Sequence, residues 1–319
     1  MMDCTDRHDR YFLRLISKNV MLYTEMVVTK AVLRGDKHKL LMFNDLEKPL
    51  ALQVGGSDKK ELAEVAKTAE DYGYDEININ LGCPSKKVQK NSFGACLMKE
   101  PDLVSECLAE MKNSCSIPVT AKTRIGFDDT EEFDYLNMFV NKMKQTGCKT
   151  IILHARKAIL KGLTPKQNLN IPKLNYEMVY EIKKSNPELE ILINGGITSV
   201  EEINNHLNYC DGVMIGRAIY QNPYFLKEIE NNIFKNFDIL SREQIVKEIL
   251  KYLENEVKTG TKVNQVMRHT VGLYYGQPGS KEWKKYLSDN MMARDSDFQK
   301  AKHIMDIAQN NEKANQLTA

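Results

Sequence analysis

The chain has 319 residues, 42% hydrophobic and 8% aromatic, with 45 basic and 43 acidic side chains and a formal charge of +2. That composition excludes a disordered or fibrous protein and leaves room for one large domain plus a smaller one; the near-balance of charge neither demands nor excludes a nucleic-acid partner. No apolar run approaches the about 18 residues of a membrane span, the N-terminus lacks the core of a signal peptide, and seven cysteines without a C-x-x-C pair argue against a disulfide framework or thiolate metal site, so the expectation is a cytoplasmic protein with reduced thiols and no metal.

Short β-branched runs recur along the chain, near Val20–Glu25, Pro49–Val54, Glu76–Leu81, Val119–Thr123, Thr150–His154, Ile191–Asn194 and Gly212–Ile215. They read as nearly continuous in apolar residues, as strands buried on both faces should be. Helical spacing fills the stretches between them. Leu62, Val65, Ala66, Ala69 and Tyr72 share a face after Ser57, and Leu103, Val104, Cys107, Leu108 and Met111 do so after Pro101, a good first-turn residue. Ser199-Val200-Glu201-Glu202 has the form of a capping box. This alternation predicts an α/β protein, a TIM (β/α)8 barrel over residues 1–235. Seven strands are legible where the barrel needs eight. The chain opens on what reads as the loop after a first strand, so that strand is expected upstream of Met1.

From about Asn236 the pattern changes. Ser241-Arg242-Glu243-Gln244 is a second capping box, followed by Ile245, Ile249, Leu250, Leu253 and Val257 at helical spacing. Helical stretches continue through His303, interrupted by Gly276-Gln277-Pro278-Gly279, and predict a small all-helical domain over residues 236–319. Only the polar end, Gln309 to Ala319, is expected to be disordered.

In such barrels chemistry sits at the C-terminal strand ends, and phosphate often binds after the last two strands. Asn194-Gly195-Gly196-Ile197 and Gly216-Arg217 occupy those two places, where glycines let main-chain N–H groups approach an oxyanion and Arg217 adds charge. No Walker or dinucleotide glycine motif is present, so flavin mononucleotide suits the pair better than ATP. Gln53, Lys122 and His154 end three other strands. A lysine inside a strand is costly without an anionic partner, and the edge of a reduced flavin is one. Cys83 follows the strand at Glu76–Leu81, between Gly82 and Pro84, and is the candidate acid. Cys107, Cys115, Cys148 and Cys210 are expected to pack inside, and Cys96 to be a neighbour of the site.

Tyr23-Thr24-Glu25-Met26, Gln53-Val54-Gly55-Gly56, Asn80-Leu81-Gly82-Cys83-Pro84, Lys122-Thr123-Arg124, His154-Ala155-Arg156, Asn194-Gly195-Gly196 and Asp211-Gly212-Val213-Met214-Ile215-Gly216-Arg217 together resemble the tRNA-dihydrouridine synthases, over almost the whole chain. Gly162-Leu163-Thr164-Pro165-Lys166 and Arg268-His269 point to the subfamily acting at D-loop positions 20 and 20a. The resemblance implies an oxidoreductase with FMN in the barrel, NADPH as reductant, and a helical domain that binds the tRNA substrate; a monomer is expected. It implies Cys83 as proton donor, and Met2, Gln53, Lys122, His154, Asn194, Gly195, Gly196, Gly216 and Arg217 as flavin contacts. Asn80, Lys166, Leu169, Lys281 and Lys284 match tRNA-contacting positions. Lys281 and Lys284 stand where arginine is expected, Leu169 where the subfamily often has arginine, and Cys4 where the family has tryptophan. A proline expected to contact FMN would precede Met1. Two other readings compete: an FMN barrel acting on a free pyrimidine such as dihydroorotate, and a non-catalytic tRNA-binding relic.

Overall fold

The computed structural model describes residues 1–130 and 132–291. Its strands are β1 (Leu22–Tyr23), β2 (Val27–Val28), β3 (Leu50–Gly55), β4 (Glu76–Asn80), β5 (Val119–Arg124), β6 (Thr150–His154), β7 (Glu190–Asn194) and β8 (Gly212–Met214). All pairings are parallel, in the order β1-β3-β4-β5-β6-β7-β8, with β2 also on β3. Helices Lys59–Asp71, Pro101–Ser114, Phe133–Gln145, Tyr176–Ser185 and Val200–Leu207 separate the strands from β3 onward, so the α/β succession of a TIM barrel is present. Among the described residues no ladder joins β8 to β1.

The run expected as a strand at Val20–Glu25 holds only the short β1, and a second short strand, β2, follows it. Leu22 and Tyr23 pair with Leu50 and Ala51, whereas Val27 and Val28 pair with Val54 and Gly55. Three residues, Thr24 to Met26, therefore oppose two on β3, which is the signature of a bulge. The Thr24 hydroxyl accepts from the Gln53 main-chain N–H at 3.0 Å and replaces the interrupted ladder bond.

The chain divides into two compact units, the first comprising residues 1–2, 21–43 and 48–215, the second 3–20, 44–47 and 216–319. The expected boundary after residue 235 falls inside the second unit. In the first unit Leu62, Val65, Ala66 and Ala69 are buried on Lys59–Asp71, and Val104, Cys107, Leu108 and Met111 on Pro101–Ser114, while Tyr72 and Leu103 stand at the margins. The Ser199 capping box forms as expected.

The second unit holds an element that the sequence reading did not anticipate, the helix Arg7–Ile16. Asp6 caps it by accepting from the His8 and Asp9 N–H groups. Its buried face carries Phe12, Leu13 and Ile16 but also Arg10 and Arg14. Arg10 pairs with Glu47 at 2.7 Å, and Arg14 donates to the carbonyls of Ser17, Val20 and Glu47, so neither charge is buried without partners. The capped helix Arg242–Lys258 buries Ile245, Val246, Ile249, Tyr252 and Leu253, with Leu250 and Val257 only partly covered. Helical segments continue through Val263–Met267, Arg268–Gly272 and Ser280–Tyr286. The helical continuation to His303 and the polar end 309–319 lie outside the described residues.

Phe139 is fully buried on Phe133–Gln145, whereas Ser241 is exposed and only caps a helix. Phe139→Ala is therefore expected to cost about 3–5 kcal/mol and Ser241→Ala about 1 kcal/mol, read from urea denaturation. Equal losses would show that the first unit's core does not dominate its stability.

Candidate active site

Residues paired across a parallel sheet face the same side. By register this groups Gln53 with Asn78, Asn78 with Thr120, Asn80 with Lys122, Arg124 with His154, and His154 with Asn194. Which side is settled by one bond. Lys122 Nζ on β5 donates to Asn194 Oδ1 on β7 at 3.1 Å. Strands two apart lie about 9–10 Å from each other, so the two side chains meet only if both point to the concave inner face. The group thus lines the interior of the barrel, with Asn80, Lys122, Arg124, His154 and Asn194 toward its C-terminal strand ends and Asn78 and Thr120 deeper, and Ile77, Ile79, Ala121, Ile151 and Ile193 form the opposite, apolar face.

Beyond β4 the chain turns at Gly82 and Cys83. Asn80 Oδ1 accepts from the main-chain N–H groups of both, at 3.1 and 3.0 Å, while Asn80 Nδ2 donates to Gln53 Oε1 at 2.8 Å. The Cys83 carbonyl accepts from Ala95 N at 3.0 Å. That approach needs Gly94, whose φ is +75° and whose absent Cβ would lie 2.7 Å from the Cys83 oxygen. Cys83 itself is half-buried, and its main chain is held at both N and O. Cys96 donates to Phe93 O instead, and burial pushes its thiol up from the ordinary value. Cys107, Cys148 and Cys210 are buried, with thiols pushed up to about 12, whereas Cys115 is only partly covered.

Two cations stand beside this loop. Burial first, and then the charge of Arg124, lower the Lys122 ammonium to about 8 against the opposing effect of the nearby Cys83. Arg124 is buried, and desolvation lowers it to about 10, still protonated at neutral pH. It donates to the carbonyls of Gly82 at 2.9 Å, Lys157 at 3.0 Å and Asn168 at 3.3 Å. Asn168, fully buried, ties the same loop with main-chain bonds to Ile159 and Thr164.

After β7, Asn194 Nδ2 donates to Met214 O at 2.7 Å, and Gly195 and Gly196 follow with φ of +121° and +77°. A Cβ on Gly195 would lie 2.8 Å from the His154 ring, and one on Gly196 2.7 Å from Leu174. Gly195 is thus packed under His154 and Leu174, and Gly196 alone stands exposed, in a turn of the kind whose main-chain N–H groups can meet an oxyanion. Tyr176 OH fixes it by donating to Gly195 O at 2.7 Å.

The structure thus brings together Gln53, Asn80, Cys83, Lys122, His154, Asn194, Gly195 and Gly196. Lys166 is exposed and Leu169 half-buried at the turn Gln167–Leu169, in the loop after β6. Met2 is exposed. Gly216, Arg217, Lys281 and Lys284 belong to the second unit: Gly216 precedes the short helix Arg217–Gln221, and the two lysines are exposed on Ser280–Tyr286. Sequence reasoning missed Arg124, Asn78, Thr120 and Glu76 as inner-face residues. The signal was there in Glu76-Ile77-Asn78-Ile79-Asn80 and Thr120-Ala121-Lys122-Thr123-Arg124, whose alternation has period two and separates a polar face from an opposite one.

A family model described as dihydrouridine synthase (Dus) matches residues 1–312. The chain is similar to a tRNA-dihydrouridine(20/20a) synthase of Shewanella oneidensis, 50% identical over 291 residues, 91% of this chain and 87% of that one. It is 48% identical to the Synechocystis sp. protein of the same description over 293 residues, 92% and 88% of the two chains. It is 47% identical to the Escherichia coli (strain K12) protein of that description over 309 residues, 96% and 89%.

The Lys122 shift carries a sign. Its folded value of about 8 lies below the ordinary 10.5, so the unfolded chain binds more protons in that interval and stability rises with pH across it. Below 8 the full penalty is present; above 10.5 it is gone. The stability of wild-type protein minus that of Lys122→Met, without added anion, should therefore increase between these pH values in urea unfolding. Parallel pH profiles would show that the Lys122 ammonium carries no desolvation penalty.

Proposed function

The chain belongs to the dihydrouridine synthase family, an oxidoreductase family, and on that footing we propose that it reduces uridine to 5,6-dihydrouridine at positions 20 and 20a of the tRNA D-loop, with FMN as its flavin and NADPH as reductant. The observation that carries this reading is half-buried Cys83, its main-chain N–H held by Asn80, beside the cations of Lys122 and Arg124. FMN fits the residues present. The Lys122 ammonium, set inside a strand and bonded to Asn194, suits a planar group whose edge gains negative charge, and Gly196, exposed at the turn after β7, leaves its main chain unshielded by a side chain. Lys122, Gln53, His154 and Asn194 would hold the ring and the glycine turn the phosphate; the resemblance extends these assignments to Met2, Gly216 and Arg217.

When bound and reduced, FMN supplies the hydride that adds to C6 of the uracil ring. The chain's own part is the proton. Hydride addition leaves enolate-like charge over C5 and the adjoining carbonyl, and the Cys83 S–H donates its proton to C5. The thiolate that remains is stabilised by Lys122 and Arg124, and water restores its proton. The base reaches the thiol only by leaving its stack. Asn80 and the loop bearing Lys166 and Leu169 receive it, and the exposed Lys281 and Lys284 of the helical domain meet tRNA phosphates. We take the enzyme to act as a cytoplasmic monomer; among the described residues no helix is long and apolar enough to cross a membrane.

Cys83→Ala should leave NADPH reduction of the flavin intact while dihydrouridine formation in tRNA falls by about 10²–10⁴-fold. Stopped-flow flavin absorbance and mass spectrometry of the tRNA read the two steps. A parallel fall in both would make Cys83 a structural residue.

A further inference from the structure

Residues two apart on a strand share a face, so Glu76, Asn78 and Asn80 form a polar column along β4, from its N-terminal end to the Cys83 loop. Barrel interiors are ordinarily filled by Val, Ile and Leu, and each polar group here costs stability unless it is bonded. The bonds of this column all run one way. Main-chain N–H groups can only donate, so Asn80 must turn its Oδ1 to Gly82 and Cys83. That leaves Asn80 Nδ2 to donate to Gln53 Oε1 at 2.8 Å. Gln53 Nε2 then donates to Asn78 Oδ1 at 2.9 Å, and Asn78 Nδ2 to Thr120 Oγ1 at 2.8 Å. The Thr120 hydroxyl proton goes to Glu76 Oε1 at 2.6 Å, which also accepts from Tyr23 OH at 2.8 Å. Burial raises the Glu76 carboxyl above its ordinary value, and the Thr120 and Tyr23 hydroxyls oppose that rise. Every amide in the series is thereby oriented from both ends, by main-chain donors at the thiol and by an acceptor at the far end of β4.

We infer that Glu76 is a positioning residue for the reduction proposed above, acting on Cys83 through Thr120, Asn78, Gln53 and Asn80. Its carboxylate fixes the Thr120 hydroxyl, which fixes the two amides that follow. Asn80 is then held in the one orientation that clamps the main chain under the thiol. The direction of the series also decides what stands beside Cys83. Gln53 and Asn80 each keep a second amide N–H, a donor that a pyrimidine carbonyl oxygen can accept. Reversing the series would set an Asn80 donor against two main-chain donors.

The inference rests on the proposed reduction of uridine, and the experiment separates the two. Thr120→Val breaks the series without leaving a new buried charge, and Glu76→Leu removes its acceptor. Glu76→Gln keeps a carbonyl oxygen for Thr120, and Tyr23→Phe removes a donor outside the series. In the flavin-loaded protein, hydrogen exchange at the Gly82 and Cys83 amides is expected to quicken about 10-fold in Thr120→Val and Glu76→Leu, and to stay within about 2-fold in the other two. Turnover of tRNA should fall about 10–100-fold in the same pair while flavin reduction by NADPH stays within about 3-fold. Unchanged exchange in Thr120→Val overturns the inference whether or not the Glu76 variants fold. A parallel loss of flavin reduction does so too, since it marks general disruption. If exchange responds as expected but the wild-type protein forms no dihydrouridine, the series stands and the proposed reaction falls.

Discussion

The inner face of the barrel at β3, β4 and β5 is polar, and each of its groups needs a partner. That constraint shapes the rest of the first unit. An amide or hydroxyl left without a partner in such an interior costs roughly 1–3 kcal/mol, so a column of them survives only as a complete network. Here completion is reached by side chains of three strands and two main-chain N–H groups. The apolar face can then do the ordinary work of a barrel strand, with Ile77, Ile79 and Ala121 fully buried. Stability comes from one face and chemistry from the other, within the same few residues.

Much of this was legible in the sequence. Strand positions from Pro49 onward, both capping boxes and the glycine turn after β7 follow from local rules that act over a few residues. The candidate site residues at strand ends stand out because Gln53, Lys122 and His154 are polar in otherwise apolar runs. What escaped notice was the face that each strand turns inward. Glu76 and Asn78 sit in a strand buried on both faces, where the polar inner face shows only in the period-two alternation of Glu76-Ile77-Asn78-Ile79-Asn80 and not in apolar content. The bulge at Thr24 to Met26 escaped for a different reason: it is a register shift between two strands, which no single segment encodes.

The helix Arg7–Ile16 shows a third kind of limit. Its sequence is dense in charge, and charge predicts exposure, yet Arg10, Arg14 and Asp9 are all buried. Their partners lie far along the chain or in main-chain carbonyls: Glu47 for Arg10, and Ser17 O, Val20 O and Glu47 O for Arg14. His269, fully buried, lies 3.0 Å from Asp6 and 3.5 Å from Asp9. Such pairings hold the helix within the second unit together with its buried Phe12, Leu13 and Ile16. Removing one partner is correspondingly severe, because it strands the other in a dry interior. Pairing at long separation is invisible to periodicity, which sees only neighbours.

Arg124 and Asn168 anchor the long loop after β6, and both do so through main-chain atoms, Arg124 at Lys157 O and Asn168 O, and Asn168 at Ile159 and Thr164. A main-chain atom is the same in every residue. The loop's path is therefore nearly indifferent to which side chains it carries, and residues such as Lys166 and Leu169 can be exchanged without redrawing it. In a lineage this separates inheritance of shape from inheritance of selectivity: the scaffold rests on bonds to main-chain atoms, from Gln89 and Asp128 as well as Arg124 and Asn168, while the exposed side chains can change.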